Sequence, residues 1–445
     1  MKAKRTKYLV SFFVFLSCLL FFNYEVHAAG FALIEQSVSG LGNAYAGGSA
    51  SAEDATTIFF NPAGLTRLQK PELVIGGHVI IPNAKFTNDG STHVLQAITG
   101  IPLRGNNGGN AGVTAFVPNI YYAFPINEKF VFGIGINSPF VLQTDYDKDW
   151  VGRYHALKSS VKTVNINPAF GYKITDALSI GAGINIQYIK AELTNAIDFG
   201  TIGRLMGITT LTPQANDGFA SLKGDSWSAG VNSGILYEFS KETRMGFSYR
   251  SRIRQKLHGR ANFSDVPSVL LTVFKDSDIT ARLTLPDMAS LSFYHDFNEQ
   301  WAVMADVTWT GWKTFNEIRI KYESGMTDTV TTTSWKNSMR YSIGFSYKPT
   351  DKLTLRAGVA YDETPIPDAQ HRTPRIPDTD RTWIAFGLGY KISDKIIIDF
   401  GYVHLFFKTS HIDKDPVDED RLRGGLKGHY KGHVDITSLQ LTYRF

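Results

Sequence analysis

The stretch Gly432-His433-Val434-Asp435-Ile436-Thr437-Ser438-Leu439-Gln440-Leu441-Thr442-Tyr443-Arg444-Phe445 alternates Leu439, Leu441 and Tyr443 with Ser438, Gln440, Thr442 and Arg444, and closes on Phe445. An apolar face backed by a polar one is the pattern of a transmembrane barrel strand, whose sides meet lipid and lumen in turn. Every alternating segment upstream is then a candidate strand of the same barrel.

The amino end supplies an address. Lys2, Lys4, Arg5 and Lys7 precede an apolar stretch from Tyr8 to Phe22 and the small-residue site Val26-His27-Ala28, which predicts a secretory signal peptide over residues 1–28. The apolar run is shorter than the roughly 20 residues of a comfortable membrane helix. The only cysteine, Cys18, lies inside it, so cleavage after Ala28 leaves 445 − 28 = 417 residues without one. An exported chain without disulfides needs another closure, and a hydrogen-bonded ladder supplies it. The signal peptide holds four of the 46 basic and one of the 41 acidic residues, leaving 42 − 40 = +2. That balance argues against nucleic acid as a partner.

Alternation and turn residues predict fourteen strands, near 72–81, 116–124, 129–138, 158–173, 177–192, 225–239, 243–260, 279–297, 300–322, 335–348, 352–362, 381–391, 395–408 and 430–445. An even number lets both ends lie on one side. Short connections such as Pro125-Ile126-Asn127-Glu128, Thr175-Asp176 and Asn298-Glu299 alternate with long ones near 82–115, 139–157, 193–224, 261–278, 323–334, 363–380 and 409–429. Tight turns at one end and long loops at the other are the asymmetry of an outer-membrane barrel. The expected fold class is therefore all-β, one antiparallel transmembrane barrel, multi-pass in the outer membrane of a Gram-negative cell, touching outer-membrane lipid and acting as a monomer.

Parity within strands assigns faces. Trp227, Ala229, Val231, Ile235, Tyr237 and Phe239 are expected to meet lipid, as are Ile343, Phe345, Ile384, Phe386 and Leu388. In the strand from Trp301 the apolar parity switches between Trp309 and Ile318, which predicts a one-residue β-bulge near Gly311. If Met245, Phe247, Tyr249 and Ile253 point out, then Arg244, Arg250, Arg252, Arg254, Lys256, His258 and Arg260 point in, joined by Arg319, Lys321, Arg340 and Arg356. Such a wall attracts anions and suits a carboxylate, so Arg250 and Arg252 are candidate ligand contacts; the same cations are equally suited to pairing with a plug.

Residues 29–70 exceed what the strands need. They are rich in small residues yet carry Phe31, Leu33, Ile34, Leu41, Ile58, Phe59, Phe60 and Leu65, too many apolar groups for a solvated tail. A wide barrel requires a filled lumen, so this segment reads as a compact plug before a barrel over 71–445. The loops carry a second apolar signal. Leu205 and Met206 lie in one, and Leu270, Leu271 and Phe274 in another, at spacings that suggest short amphipathic helices. Exposed together they would mark a binding patch.

Ser39-Gly40-Leu41-Gly42-Asn43-Ala44-Tyr45-Ala46-Gly47, Glu53-Asp54-Ala55 and Asn61-Pro62-Ala63 resemble the hatch of the FadL/TodX family of outer-membrane transporters of hydrophobic compounds. Asn137-Ser138-Pro139-Phe140, Trp150-Val151-Gly152-Arg153-Tyr154-His155-Ala156 and Asn165-Ile166-Asn167-Pro168 extend the resemblance across essentially the whole mature chain. It implies a hatch-plugged barrel for passive uptake of long-chain fatty acids or aromatic hydrocarbons. Ligand would be caught between two outer loops, pass to a lumen site at the mature amino terminus and leave sideways beside a kinked third strand. Carried residue by residue, Phe31 matches the ligand-contacting aromatic, Lys190 a lumen base for the carboxylate, and Asn61, Pro62 and Ala63 the hatch motif. Pro139, after the alternating strand Phe130 to Asn137, is placed to end or kink that third strand.

Rival classes fit less well. A polar-solute porin needs neither plug nor apolar loops. No G-x-S-x-G or H-E-x-x-H motif is present, so no catalytic residue and no cofactor is expected, and His429 with His433 lack the rest of a metal-ligand set.

Overall fold

The computed structural model describes residues 30–445; the signal-peptide stretch and its cleavage site lie outside the described residues. The strands are β1 (Glu72–Asn88), β2 (Ala115–Pro125), β3 (Phe130–Asn137), β4 (Lys158–Lys173), β5 (Leu178–Asp198) and β6 (Asp217–Glu238). Next come β7 (Thr243–Arg250, then Ile253–Ser264), β8 (Ser277–Leu285, then Met288–Asp296) and β9 (Trp301–Thr310, then Glu317–Tyr322). The set ends with β10 (Ser338–Tyr347), β11 (Leu353–Asp362), β12 (Arg381–Lys391), β13 (Ile396–Phe407) and β14 (Leu426–Arg444). Each pairs antiparallel with its sequence neighbours, and β14 pairs β1 from Arg444↔Glu72 to Gly428↔Asn88, closing a 14-stranded barrel.

The tight turns share one chemistry. Asn127, Thr175, Ser240, Asn298 and Thr350 each accept backbone N–H groups from two and three residues on, fixing the reversal with a side chain where the ladder ends. At the other rim the strands run past their expected ends: β5 reaches Asp198 and β6 starts at Asp217. These extensions stand in water, where alternation no longer marks lipid.

That limit explains the one large error of the parity reading. Asn232 of β6 faces Arg250 of β7, but Asp225 faces His258, so seven residues on β6 oppose eight on β7. The extra residue is a bulge at Ser251, whose N–H donates to Val231 O (2.8 Å) and whose Oγ accepts from Val231 N (2.9 Å). Beyond it every side chain changes face. Arg244 and Arg250 point in, but Ile253, Gln255 and Leu257 also point in, while Arg252, Arg254, Lys256, His258 and Arg260 are exposed on the outside. Arg319 and Lys321 of β9 likewise face out, opposite to expectation. In β9 the interruption is not a one-residue bulge but the break Gly311–Asn316, with a 3-10 turn at Trp312–Thr314 that drives Trp312 into the lumen.

Residues 30–68 lie inside the ring. Short helices Val38–Leu41, Gly48–Ser51 and Thr57–Phe60 and a 3-10 turn Pro62–Arg67 pack against strands around the barrel. Inward arginines serve this segment: Arg244 donates to Ala50 O (2.7 Å), Arg250 to Phe59 O (2.9 Å), Arg340 to Ala44 O (2.5 Å), and Arg356 pairs with Glu53 (3.0 Å). Arg250 thus holds the plug segment rather than a free ligand position. Wall glycines give the segment room: a Cβ on Gly246 would overlap the Ser49 carbonyl, and one on Gly358 the Asn43 backbone. Gly246→Val and Gly358→Val are expected to keep the barrel ladder but unseat the segment, at a cost of about 1–3 kcal/mol. Planar-bilayer conductance to small ions should rise well above that of the parent; an unchanged conductance would show that the segment does not seal the lumen.

Candidate functional site

Above the plug segment the lumen encloses a cavity of about 220 Å³ with a mostly apolar lining that includes Phe31, Leu33, Val141, Leu142, Ile376 and Trp383. Phe31 is buried in an aromatic nest: ring centroids lie 4.8 Å from Trp312, 5.6 Å from Phe315, and 6.0 Å from both Phe140 and Trp335. Trp312 comes from the β9 break and Trp335 from the segment before β10. Sequence reasoning missed both; the parity break at Gly311 was their only signal.

One wall of the cavity is charged. Glu35, Arg340, Asp362, Asp378 and Arg381 line it together. Asp378 accepts from Gly30 N (2.9 Å) and Thr364 Oγ1 (2.7 Å) and pairs with Arg381, which also reaches Gly30 O (3.2 Å). Among the described residues the Nε–H groups of Arg340 and Arg381 are buried without a partner, as are the indole N–H groups of Trp312 and Trp335. Burial raises Glu35 to about 7; its own backbone N–H, Arg381 and Arg340 offset this in part, and Asp362 adds to it. Near neutral pH this group therefore changes charge inside the cavity.

The cavity meets a gap in the wall. β2 and β3 pair from Pro125↔Val131 to Ile120↔Ile136, and pairing resumes only at Gly112↔Thr144. Both ends share one register, since 120 + 136 and 112 + 144 are both 256, so the stretch between is an opening within an aligned sheet. Among the described residues no backbone bond joins 113–119 to 137–143. The backbone freed at Ser138-Pro139-Phe140 is bonded elsewhere. Leu33 N donates to Pro139 O (2.8 Å), Val141 N to Phe31 O (3.2 Å), and Gln36 Nε2 to Ser138 O (2.9 Å) while its Oε1 accepts from Ser138 N (3.3 Å). Thr163 Oγ1 accepts from Phe140 N (3.1 Å). Pro139 is therefore at a kink, not a simple strand end: the chain continues as Val141–Asp145 paired to β4. About seven residues of β3 lie below the gap, roughly 16 Å of height at a 45° tilt, well within an apolar band of about 25 Å.

At the outer rim the helix Phe199–Leu205, capped by Asp198 accepting from Thr201 N (2.8 Å), packs on the loop carrying Leu270 and Phe274. Leu270 is fully buried and Phe274 half-buried, with Phe274 4.9 Å from the Phe199 ring, so these two form the loop core. Leu205, Met206, Val269, Leu271 and Val273 are the exposed members; Met206 is 58 % exposed and Leu271 52 %.

Other expected site residues fall elsewhere. Lys190 is exposed on the outside of β5, with Ile189 buried inward, and no bulge intervenes because the β4–β5 register is the same at Ser159↔Leu193 and Ala169↔Gly183. Arg252 pairs with Asp287 (3.0 Å) on the outer wall. Asn61 ties the segment together and to the wall: Nδ2 donates to Ser49 O (2.6 Å) and to Ile235 O of β6 (3.0 Å), and Oδ1 caps Ala63 N (3.0 Å), which fixes Pro62 and Ala63 at the start of the 3-10 turn.

Comparison with known proteins agrees with this architecture. Residues 19–445 match the family model described as outer membrane protein transport protein (OMPP1/FadL/TodX). Outer membrane protein P1 of Haemophilus influenzae is 31% identical over 444 residues, covering 94% of this chain and 96% of that protein. The long-chain fatty acid transport protein of Escherichia coli O6:H1 is 32% identical over 407 residues, covering 85% and 88%. A crystal structure of a Pseudomonas aeruginosa FadL homologue superposes with a TM-score of 0.85 at 28% identity, covering 94% and 100%. A Pseudomonas putida toluene transporter, TodX, shares the fold with a TM-score of 0.67 at 18% identity, covering 95% and 99%. The chain belongs to the OMPP1/FadL/TodX family of outer-membrane transporters of hydrophobic compounds.

Proposed function

We propose that this protein is a monomeric, passive channel for long-chain fatty acids, with residues 29–70 acting as its hatch. The observation that supports the choice of substrate is the pair of buried Nε–H groups on Arg340 and Arg381, without a partner among the described residues, on the charged wall of a mostly apolar cavity. An unsatisfied charged donor is costly to bury, and a ligand carboxylate would satisfy both while the acyl chain fills the apolar space. The aromatic nest around Phe31 favours a second reading, a neutral aromatic hydrocarbon, which would leave those donors unused.

Glu35 separates the two readings. Its carboxyl is neutral below about pH 7 and charged above it, so a carboxylate ligand is repelled as pH rises while a neutral one is not. If only the protonated form accepts the ligand, fatty-acid affinity should fall about tenfold from pH 6 to pH 8. Glu35→Gln should hold the affinity nearly constant across that range. Titration of detergent-solubilised protein with a fluorescent fatty acid checks this, and a flat profile in the parent would favour the neutral ligand.

Capture would begin on the exposed loop residues. Replacing Met206 and Leu271 together with Ser should weaken uptake at limiting ligand several-fold and leave the loop folded, because Leu270 and Phe274 still fill its core. Uptake equal to the parent's would argue against capture there.

Release would follow the gap between β2 and β3, which lies at lipid depth and is continuous with the cavity. Cysteines at Ala115 and Val141, joined by a short bismaleimide, should stop uptake while ligand binding persists. Transport that survives complete cross-linking would exclude the lateral route.

A further inference from the structure

The bulge at Ser251 turns a row of cations that would have lined the lumen onto the outer surface, and their arrangement there is unusual for a structural face. Lys162 of β4 stands directly opposite Lys190 of β5, Lys223 of β6 opposite Arg260 of β7, and Lys256 of β7 opposite Arg282 of β8. All six are exposed. Like charges directly opposite one another destabilise a sheet. Among the described residues Lys162, Lys190, Lys256, Arg260 and Arg282 are in no salt bridge, as is Arg254 beside them, while Lys223 shares Glu192 with Lys158. Asp225 and Asp278 offset part of this charge from the same face. Asp225 stands opposite Lys190 and Asp278 opposite Arg260, so among the described residues this face keeps a positive charge that is only partly offset.

Height decides what could remove it. On β6 the outward apolar residues run from Phe239 to Trp227, twelve residues or about 28 Å at a 45° tilt, the thickness of a lipid-facing band. Trp227 and Tyr188, 5.2 Å apart, mark its upper edge. The next outward positions are charged, Lys190 on β5 and, on β6, Asp225, which is flanked by Lys190 and His258. Their long stems can lie along the apolar surface while their heads reach the headgroup layer. A protein or nucleic-acid partner would not be confined to this ring; a lipid headgroup is.

We infer that the outer face of β4–β8 binds the phosphate groups of an outer-leaflet glycolipid, with Lys256, Arg260 and Arg282 at its centre. Arginine can take a phosphate through two parallel N–H bonds and lysine supplies a compact charge beside it, so each opposed pair can grip one phosphate. The site is separate from the lumen cavity and does not depend on which hydrophobic compound is carried.

The test uses the refolded full chain in detergent, with bis-phosphorylated lipid A and its dephosphorylated form as probes and bound lipid counted by native mass spectrometry. Parent protein should prefer the phosphorylated lipid, and the triple variant Lys256→Gln, Arg260→Gln, Arg282→Gln should lose about fivefold per cation, about a hundredfold together, for that lipid alone. Heat-modifiable gel mobility verifies that the variant is folded. The charge-conserving pair Lys256→Arg, Arg282→Lys, whose folding the same gel shift verifies, should retain binding. Equal affinity of the parent for both lipids, or undiminished binding by the folded triple variant, would overturn the assignment.

Discussion

The closed ladder constrains everything else in this molecule. In lipid no water is present to take a loose N–H or C=O, so a sheet that leaves pairing anywhere must satisfy those groups by other means. The gap between β2 and β3 shows how strictly this holds. Each backbone group freed by the kink at Ser138-Pro139-Phe140 is bonded by Phe31, Leu33, Gln36 or Thr163, and three of those four belong to the amino-terminal segment. A piece of chain inside the barrel thus completes the edge of the opening on the β3 side.

The same segment also defines the lumen. Arg244, Arg250 and Arg340 reach its carbonyl groups, and serine and asparagine side chains bind it to the strands, so polar contacts occupy much of the lower lumen. Above it Phe31 rests in a nest of aromatic rings, leaving one apolar cavity bounded by Glu35, Arg340 and Arg381. Phe31 and Leu33 contact both the cavity and the kink. Displacement of Phe31 would thereby disturb the bonds holding the edge of the gap, so cavity and gap are mechanically connected.

Two faces of the wall carry basic residues for different reasons. Inward arginines are consumed by plug carbonyls and by Glu53 and Asp399. Outward ones beyond Trp227 have few partners in the chain and stand above the apolar band. The one-residue bulge at Ser251 divides the two sets within a single strand, so a change of one residue in register would exchange a headgroup-facing surface for a lumen-facing one.

The sequence by itself determined the barrel: fourteen strands, their order, the tight turns and the lipid-facing residues from Phe239 to Trp227 follow from a period of two imposed by lipid on one side and water on the other. Its apolar residues also set the segment before Glu72 apart from a solvated tail, and the structure places residues 30–68 inside the ring. Only the tertiary structure decided where that period lapses. Above the membrane the inward face becomes the apolar one, carrying Ile253, Leu257 and Ala261 into buried clusters, so alternation there no longer marks lipid and the faces of Arg254, Lys256 and Arg260 depended on register. The cavity was equally hidden, because Glu35, Arg340 and Arg381 come from three distant segments that meet only when the barrel closes around its own amino terminus.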